Sequence, residues 1–201
     1  MVYKNVLSIG ILAFILLGSS VTSWSHPHVF LYSAVHVVLD EKGIAGFTVR
    51  WVFDEMFSSM IILEFDKNGN KRLEPFEIKN VKRGAFSNLR EFDYFTHITI
   101  NGTVFKVQYV TDFSAEILED ALVYQFFVPC HIHAIETFKE VRVSIYDHTY
   151  YCSVSLAENP VTYDKQSPYE IEHRIETNQN KAFYYGQIHP EEITLRFKRK
   201  K

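Results

Sequence analysis

Apolar and polar positions along this chain fall into three regimes. From His28 to Leu39 and from Ile44 to Phe53, apolar residues alternate loosely with polar ones and are rich in Val, Phe and Tyr. This predicts two strands joined by a turn at Asp40-Glu41-Lys42-Gly43. Beyond residue 53 the period lengthens. Asp54 can cap a helix whose apolar positions are Met56, Phe57, Met60, Ile61 and Leu63. A second helix is expected from Pro75 to about Glu91, with Phe76, Ile78, Val81, Phe86 and Leu89 toward the core. From Tyr94 alternation returns. His97–Ile100 and Val104–Val110 flank the hairpin signal Asn101-Gly102, and Glu116–Leu118, Leu122–Val128, Val141–Asp147, Tyr150–Leu156, Ala182–Gln187 and Ile193–Phe197 complete the expected strands. The polar stretch from Ala157 to Asn180 reads as loop. The expected fold class is α+β: a mainly antiparallel β-sandwich-like body with a helix-loop-helix inserted at about residues 54–91.

The start of the chain breaks this pattern. Lys4 precedes an apolar run, Val6–Leu17, of roughly a dozen residues, the length of a secretory signal core and short of the ~20 needed to span a bilayer. Gly18-Ser19-Ser20 ends the run, and the small residues Ser23 and Ser25 predict cleavage after Ser25, with Ser20 and Ser23 as alternative sites. The expected organisation is therefore a signal peptide, residues 1–25, and one periplasmic domain, residues 26–201, with no transmembrane helix in the mature chain. Removing 25 of 201 residues leaves 176, enough for a single core. A net charge of −3 does not indicate a nucleic-acid partner, and 15% aromatic residues favour a β-rich body. Cys130 and Cys152 are compatible with one disulfide in an exported protein, or with two buried thiols.

Cleavage after Ser25 would make His26 the first residue of the mature protein, followed by Pro27 and His28. A terminal histidine can chelate one ion through its amine and imidazole together. Pro27 has no N–H, which blocks the square-planar mode that runs through deprotonated amides to a third-position histidine. His26 then serves as a bidentate end, with His28 or residues from elsewhere completing the site. Nitrogen ligands of this kind suit Zn2+, Cu2+ or Ni2+, and zinc asks for about four ligands. Candidates for the remainder are His97, Asp112, Asp147 and His148; His131 and His133 form a second His-x-His.

Residues 66–77 read close to an EF-hand calcium loop. Asp66, Asn68 and Asn70 stand at positions one, three and five, Arg72 would offer its backbone carbonyl at seven, Glu74 would act through water at nine, and Glu77 would supply the bidentate carboxylate at twelve. Position six, usually Gly, is Lys71. A positive φ there costs a residue bearing a Cβ on the order of 1 kcal/mol, so a weak Ca2+ site is expected. The insertion is thus EF-hand-like, and its expected role is to lock the two helices together. The chain contains no Gly-rich phosphate loop, nucleophile elbow or His-Glu helix motif, and it is read as a non-enzyme.

Taken together and in order, His26-Pro27-His28-Val29-Phe30, Trp51-Val52-Phe53-Asp54-Glu55-Met56-Phe57, the calcium-like loop, Tyr94-Phe95-Thr96, Thr111-Asp112-Phe113 and Tyr146-Asp147-His148-Thr149-Tyr150-Tyr151 resemble a bacterial periplasmic family of unknown function. That family is often described as an ABC-type transport component, and its members commonly accompany a NicO-type nickel/cobalt permease. The likeness spans about residues 26–156 and extends to the periplasmic component of a Haemophilus-type zinc-uptake system. It implies an accessory role in zinc, or nickel/cobalt, transport beside an inner-membrane permease, with His26, His28 and Asp147 as metal-site positions. His148 stands where relatives more often have Pro. Two alternatives stay open: a copper redox protein of the histidine-brace kind, and a calcium-stabilised interaction module.

Overall fold

A computed structural model describes residues 27–200; the expected signal segment, its cleavage site and His26 lie outside the described residues. Among the described residues ten strands form two five-stranded sheets. The first five are β1 (Val29–Leu39), β2 (Gly43–Phe53), β3 (Thr96–Ile100), β4 (Thr103–Phe105) and β5 (Thr111–Leu118). The others are β6 (Ala121–His133), β7 (Lys139–Ile145), β8 (Cys152–Tyr163), β9 (Tyr169–Thr177) and β10 (Glu191–Arg199). One sheet has the order β5-β6-β2-β1-β8 and the other β4-β3-β7-β10-β9. All pairings are antiparallel except β1 with β8, which run parallel from Val29↔Cys152.

Alternation builds the shared core. Leu31, Val35 and Val37 of β1, Phe47, Val49 and Trp51 of β2, Phe126 and Val128 of β6, Val141 and Val143 of β7, and Ile193, Leu195 and Phe197 of β10 are buried in a single apolar cluster. Trp51 sits at its centre, edge-on to Phe126 at 4.9 Å and stacked with Phe95 at 5.8 Å. Gly46 is required where β6 crosses close: a Cβ there would lie 2.3 Å from the carbonyl oxygen of Val128.

Two helices, α1 (Glu55–Phe65) and α2 (Pro75–Val81), follow β2. Asp54 caps α1 by accepting the Phe57 N–H at 2.9 Å. The second helix does not continue as one α-helix to Glu91. It widens into a π turn at Lys82–Phe86 and tightens into 3-10 geometry from Ser87, leaving helical dihedrals at Phe92. The wide turn puts Val81 and Phe86, five residues apart, on the same buried side, which α-helical spacing would not. Asp93, Tyr94 and Phe95 then take left-handed backbone in succession, at φ 51, 50 and 53. That strain, about 1 kcal/mol per residue, is offset by burying Tyr94 and Phe95 in the aromatic core.

Two further sequence expectations are corrected, and the open question of the cysteines is answered. Much of the stretch 157–180 is strand: β8 extends to Tyr163, and β9 is a sheet edge whose carboxylates Glu170 and Glu172 pair outward with Lys198 and Arg196 on β10. Residues 182–187 form a turn closed by a bridge between Phe183 and Ile188. Cys130 and Cys152 are free, buried thiols. Strands β2 and β1 lie between them, roughly 14 Å across the sheet alone at ordinary strand spacing, whereas a disulfide needs its Cα atoms within about 7 Å. Among the described residues no helix is long and apolar enough to cross a membrane.

Candidate functional site

The turn between β7 and β8, residues 146–152, is organised by one carboxylate. Asp147, buried at 2% exposure, accepts from the Thr149 N–H at 2.9 Å, from the Thr149 hydroxyl at 2.7 and 2.8 Å, and from the Cys152 N–H at 3.0 Å. Tyr150 closes the turn with a positive φ of 58 and an N–H donated to the Asp147 carbonyl. The turn thereby presents the Tyr151 carbonyl, which accepts the His28 N–H at 2.9 Å, and the exposed His28 imidazole lies 5.0 Å from the Tyr151 ring.

His97 meets the same turn from the other sheet. Its ring stacks on Tyr146 at 4.0 Å, and its Nε2 faces the Tyr146 carbonyl oxygen at 3.1 Å. A carbonyl can only accept, so Nε2 carries the proton. Burial lowers this imidazole to about 4, outweighing the opposing pull of that carbonyl. His148 is exposed, 5.7 Å from the Phe92 ring.

Asp54 adds a clamp that sequence reading did not identify. Besides capping α1, its second oxygen accepts the Phe30 N–H at 2.6 Å, while the Asp54 N–H donates to the Phe30 carbonyl. The only hint in the chain was its cap position; Phe30 is 24 residues away. Burial, reinforced by Asp147 and Asp54, pushes the Cys152 thiol up to about 12. Beneath the turn, Cys152 is therefore a protonated, unreactive thiol at neutral pH.

His28 and His97, far apart in sequence, thus each contact the turn that Asp147 holds, His28 through Tyr151 and His97 through Tyr146. Asp112 does not. It is exposed on β5 with φ 52, and β6 and β2 separate its strand from β1. His131 and His133 are exposed at the end of β6, lining a groove with Asp40 and Glu41. Among the described residues no group of three or more His, Cys, Asp or Glu side chains is arranged to hold a metal.

The loop after α1 is folded around its own side-chain oxygens. Asp66 accepts the N–H groups of Gly69, Asn70 and Lys71, Asn68 that of Asn70, and Asn70 that of Arg72. Glu77, fully buried, accepts the Lys67 N–H at 2.8 Å and the Glu74 N–H at 2.9 Å. Hydrogen bonding by Glu77 first, then by the Asn70 and Asn68 amides, lowers the Glu74 carboxyl to about 2. Lys71 takes φ 58, and its Nζ pairs with Asp120 at 2.6 Å. The donor set, carboxylates and carboxamides, has the hard-oxygen chemistry calcium takes. In this geometry much of its accepting capacity is turned to the loop's own amides.

A family model described as "Protein of unknown function (DUF1007)" matches residues 11–191. The chain belongs to this family. This DUF1007 member is also similar to a protein of Spirochaeta aurantia described as "Uncharacterized 15.5 kDa protein in trpE 3'region". They are 25% identical over 131 residues, which cover 65% of this chain and 93% of the relative.

Proposed function

We propose that this DUF1007 member is a periplasmic metal-binding accessory protein of a transition-metal transport system, zinc first and nickel or cobalt second, working beside an inner-membrane NicO-type permease. The observation that carries the reading is that the turn held by Asp147 touches both His28, through Tyr151, and His97, through Tyr146. The three have different roles. Asp147 already accepts from three donor groups and fixes the turn. His97, neutral and bonded to Tyr146, forms its wall. His28 keeps an exposed imidazole. The ion is cargo, taken by the His28 imidazole with the amine and imidazole of a processed His26. So few protein ligands suit reversible hand-over better than permanent retention. Zinc affinity should be measured for protein beginning at His26 and for protein with one added N-terminal residue. Equal affinity in the two would remove the terminal amine from the site and overturn this reading.

The loop geometry favours a second, calcium reading. Lys71 at position six adopts the left-handed backbone that an EF-hand requires there, and Asp66 and Glu77 anchor the loop between α1 and α2. Ca2+ bound by Asp66, Asn68, Asn70, Glu77 and the Arg72 carbonyl would lock the helix pair as a structural latch. Millimolar Ca2+ should raise the melting temperature, and Glu77→Gln should abolish the rise. An unchanged melt in wild-type protein would reject the latch.

A further inference from the structure

We infer that the outward face of α1 is a docking site for an apolar helix of a partner protein that carries basic residues at both ends. This goes beyond the metal readings and does not rest on either. The helix reads Glu-Met-Phe-Ser-Ser-Met-Ile-Ile-Leu-Glu-Phe from Glu55 to Phe65. Its inner side buries Ser58 and Ile61 against the body. An ordinary surface helix would turn charged residues outward. Here Met56, Met60 and Leu63 are 67%, 53% and 85% exposed, at the i, i+4, i+7 spacing that makes one continuous stripe. The face is held ready. Asp54 caps the helix, and the Ser58 hydroxyl accepts the Leu122 N–H at 2.8 Å while donating to the Phe53 carbonyl at 3.3 Å. A preorganised face loses little entropy on binding, and two methionines let it adapt to a partner's side chains.

Charge selects the occupant. Exposed carboxylates stand at both ends of the stripe, Glu55 and Glu64, and among the described residues neither is in an ion pair. The helix has no Lys or Arg. An anionic bilayer surface would be repelled, whereas helices that lie on membranes carry basic flanks. A second copy is disfavoured as well. Whether two α1 helices met parallel or antiparallel, glutamate would face glutamate at each end. A foreign apolar helix ending in Lys or Arg satisfies both the stripe and its ends.

The test uses the mature protein and two synthetic apolar helical peptides, one with lysines at both ends and one with glutamates, followed by fluorescence anisotropy. The lysine-ended peptide should bind and the glutamate-ended one should not. Met60→Glu with Leu63→Glu should weaken binding about tenfold or more, since two apolar side chains lose their cover. Both positions are exposed, so circular dichroism and melting temperature should stay at wild-type values. The charge-swapped pair Glu55→Lys and Glu64→Lys should reverse the peptide preference. The inference is overturned if the lysine-ended peptide fails to bind, if the two peptides bind equally, or if the substitutions leave affinity unchanged. Tighter binding to phosphatidylglycerol vesicles than to the peptide, or a dimer that Met60→Glu and Leu63→Glu dissolve, would overturn it in favour of a membrane or a second copy.

Discussion

The imidazole of His97 lies against the ring of Tyr146, 4.0 Å between centroids, and hydrogen-bonds the carbonyl oxygen of that same residue. Burial lowers its pKa from 6.5 to about 4, so folded protein resists a proton that unfolded protein accepts. Between these two values the unfolded state binds more protons, and stability must fall as pH falls. The loss begins near pH 6.5, levels off below about 4, and amounts to on the order of 3 kcal/mol. Urea unfolding at intervals from pH 7.5 to 4.5 should show this slope, and His97→Gln should flatten it. Equal slopes in both proteins would place the acid sensitivity elsewhere.

Asp147 is the keystone of the turn that carries Tyr151 and, through it, His28. Asparagine there keeps one acceptor but turns an amide N–H2 toward donors, leaving buried N–H groups unpaired. Asp147→Asn should cost about 3 kcal/mol of stability. Thr149→Val, which removes only the hydroxyl, should cost about 1 kcal/mol. If Asp147 positions rather than ligates, both variants should weaken zinc binding in proportion to their disturbance of the turn. A large affinity loss in Asp147→Asn beside none in Thr149→Val would make Asp147 a direct ligand.

Lys71 combines a strained backbone, φ 58, with an exposed ion pair to Asp120. Glycine removes a backbone strain of about 1 kcal/mol, whereas the Lys71–Asp120 pair is fully solvent-screened and holds less. Lys71→Gly should therefore raise the melting temperature in EDTA, while Lys71→Ala, which loses the pair and keeps the strain, should lower it. The same glycine should strengthen any response to Ca2+, because position six then reaches its required conformation without cost. A lower melting temperature for Lys71→Gly would mean that the ion pair outweighs the strain.

Local chemistry was legible in the chain and long-range pairing was not. Asp54 reads as a cap because its oxygen needs a donor only three residues on; its clamp on Phe30 depends on how β1 returns past it. Asn101-Gly102 marks the β3–β4 hairpin because a two-residue turn sets its own register. The parallel pairing of β1 with β8 joins residues more than a hundred positions apart, and no local pattern encodes it. That pairing is what brings His28 to the turn that Asp147 holds. Strand β9 reads as loop because, at a sheet edge, it exposes the charged Glu170, Glu172, Arg174 and Glu176 and buries little apolar surface. The helical segment after Val81 keeps an apolar period but changes its pitch, since packing under Trp51 decides where Phe86 must point.

Cys130 and Cys152 give the sheet order a direct chemical test. Both thiols are buried and free, and burial pushes each up to about 12, so almost no thiolate exists at neutral pH. With β2 and β1 between their strands, they cannot reach one another without dismantling the sheet. Native protein at pH 8 should leave both thiols unlabelled by a maleimide over minutes, and denaturant should release both at once. Reductant should leave the melting temperature unchanged, because no disulfide contributes to it. A thiol count of zero after unfolding without reductant, with a mass two hydrogens lighter, would instead require β6 and β8 to be neighbours and would refute the order β5-β6-β2-β1-β8.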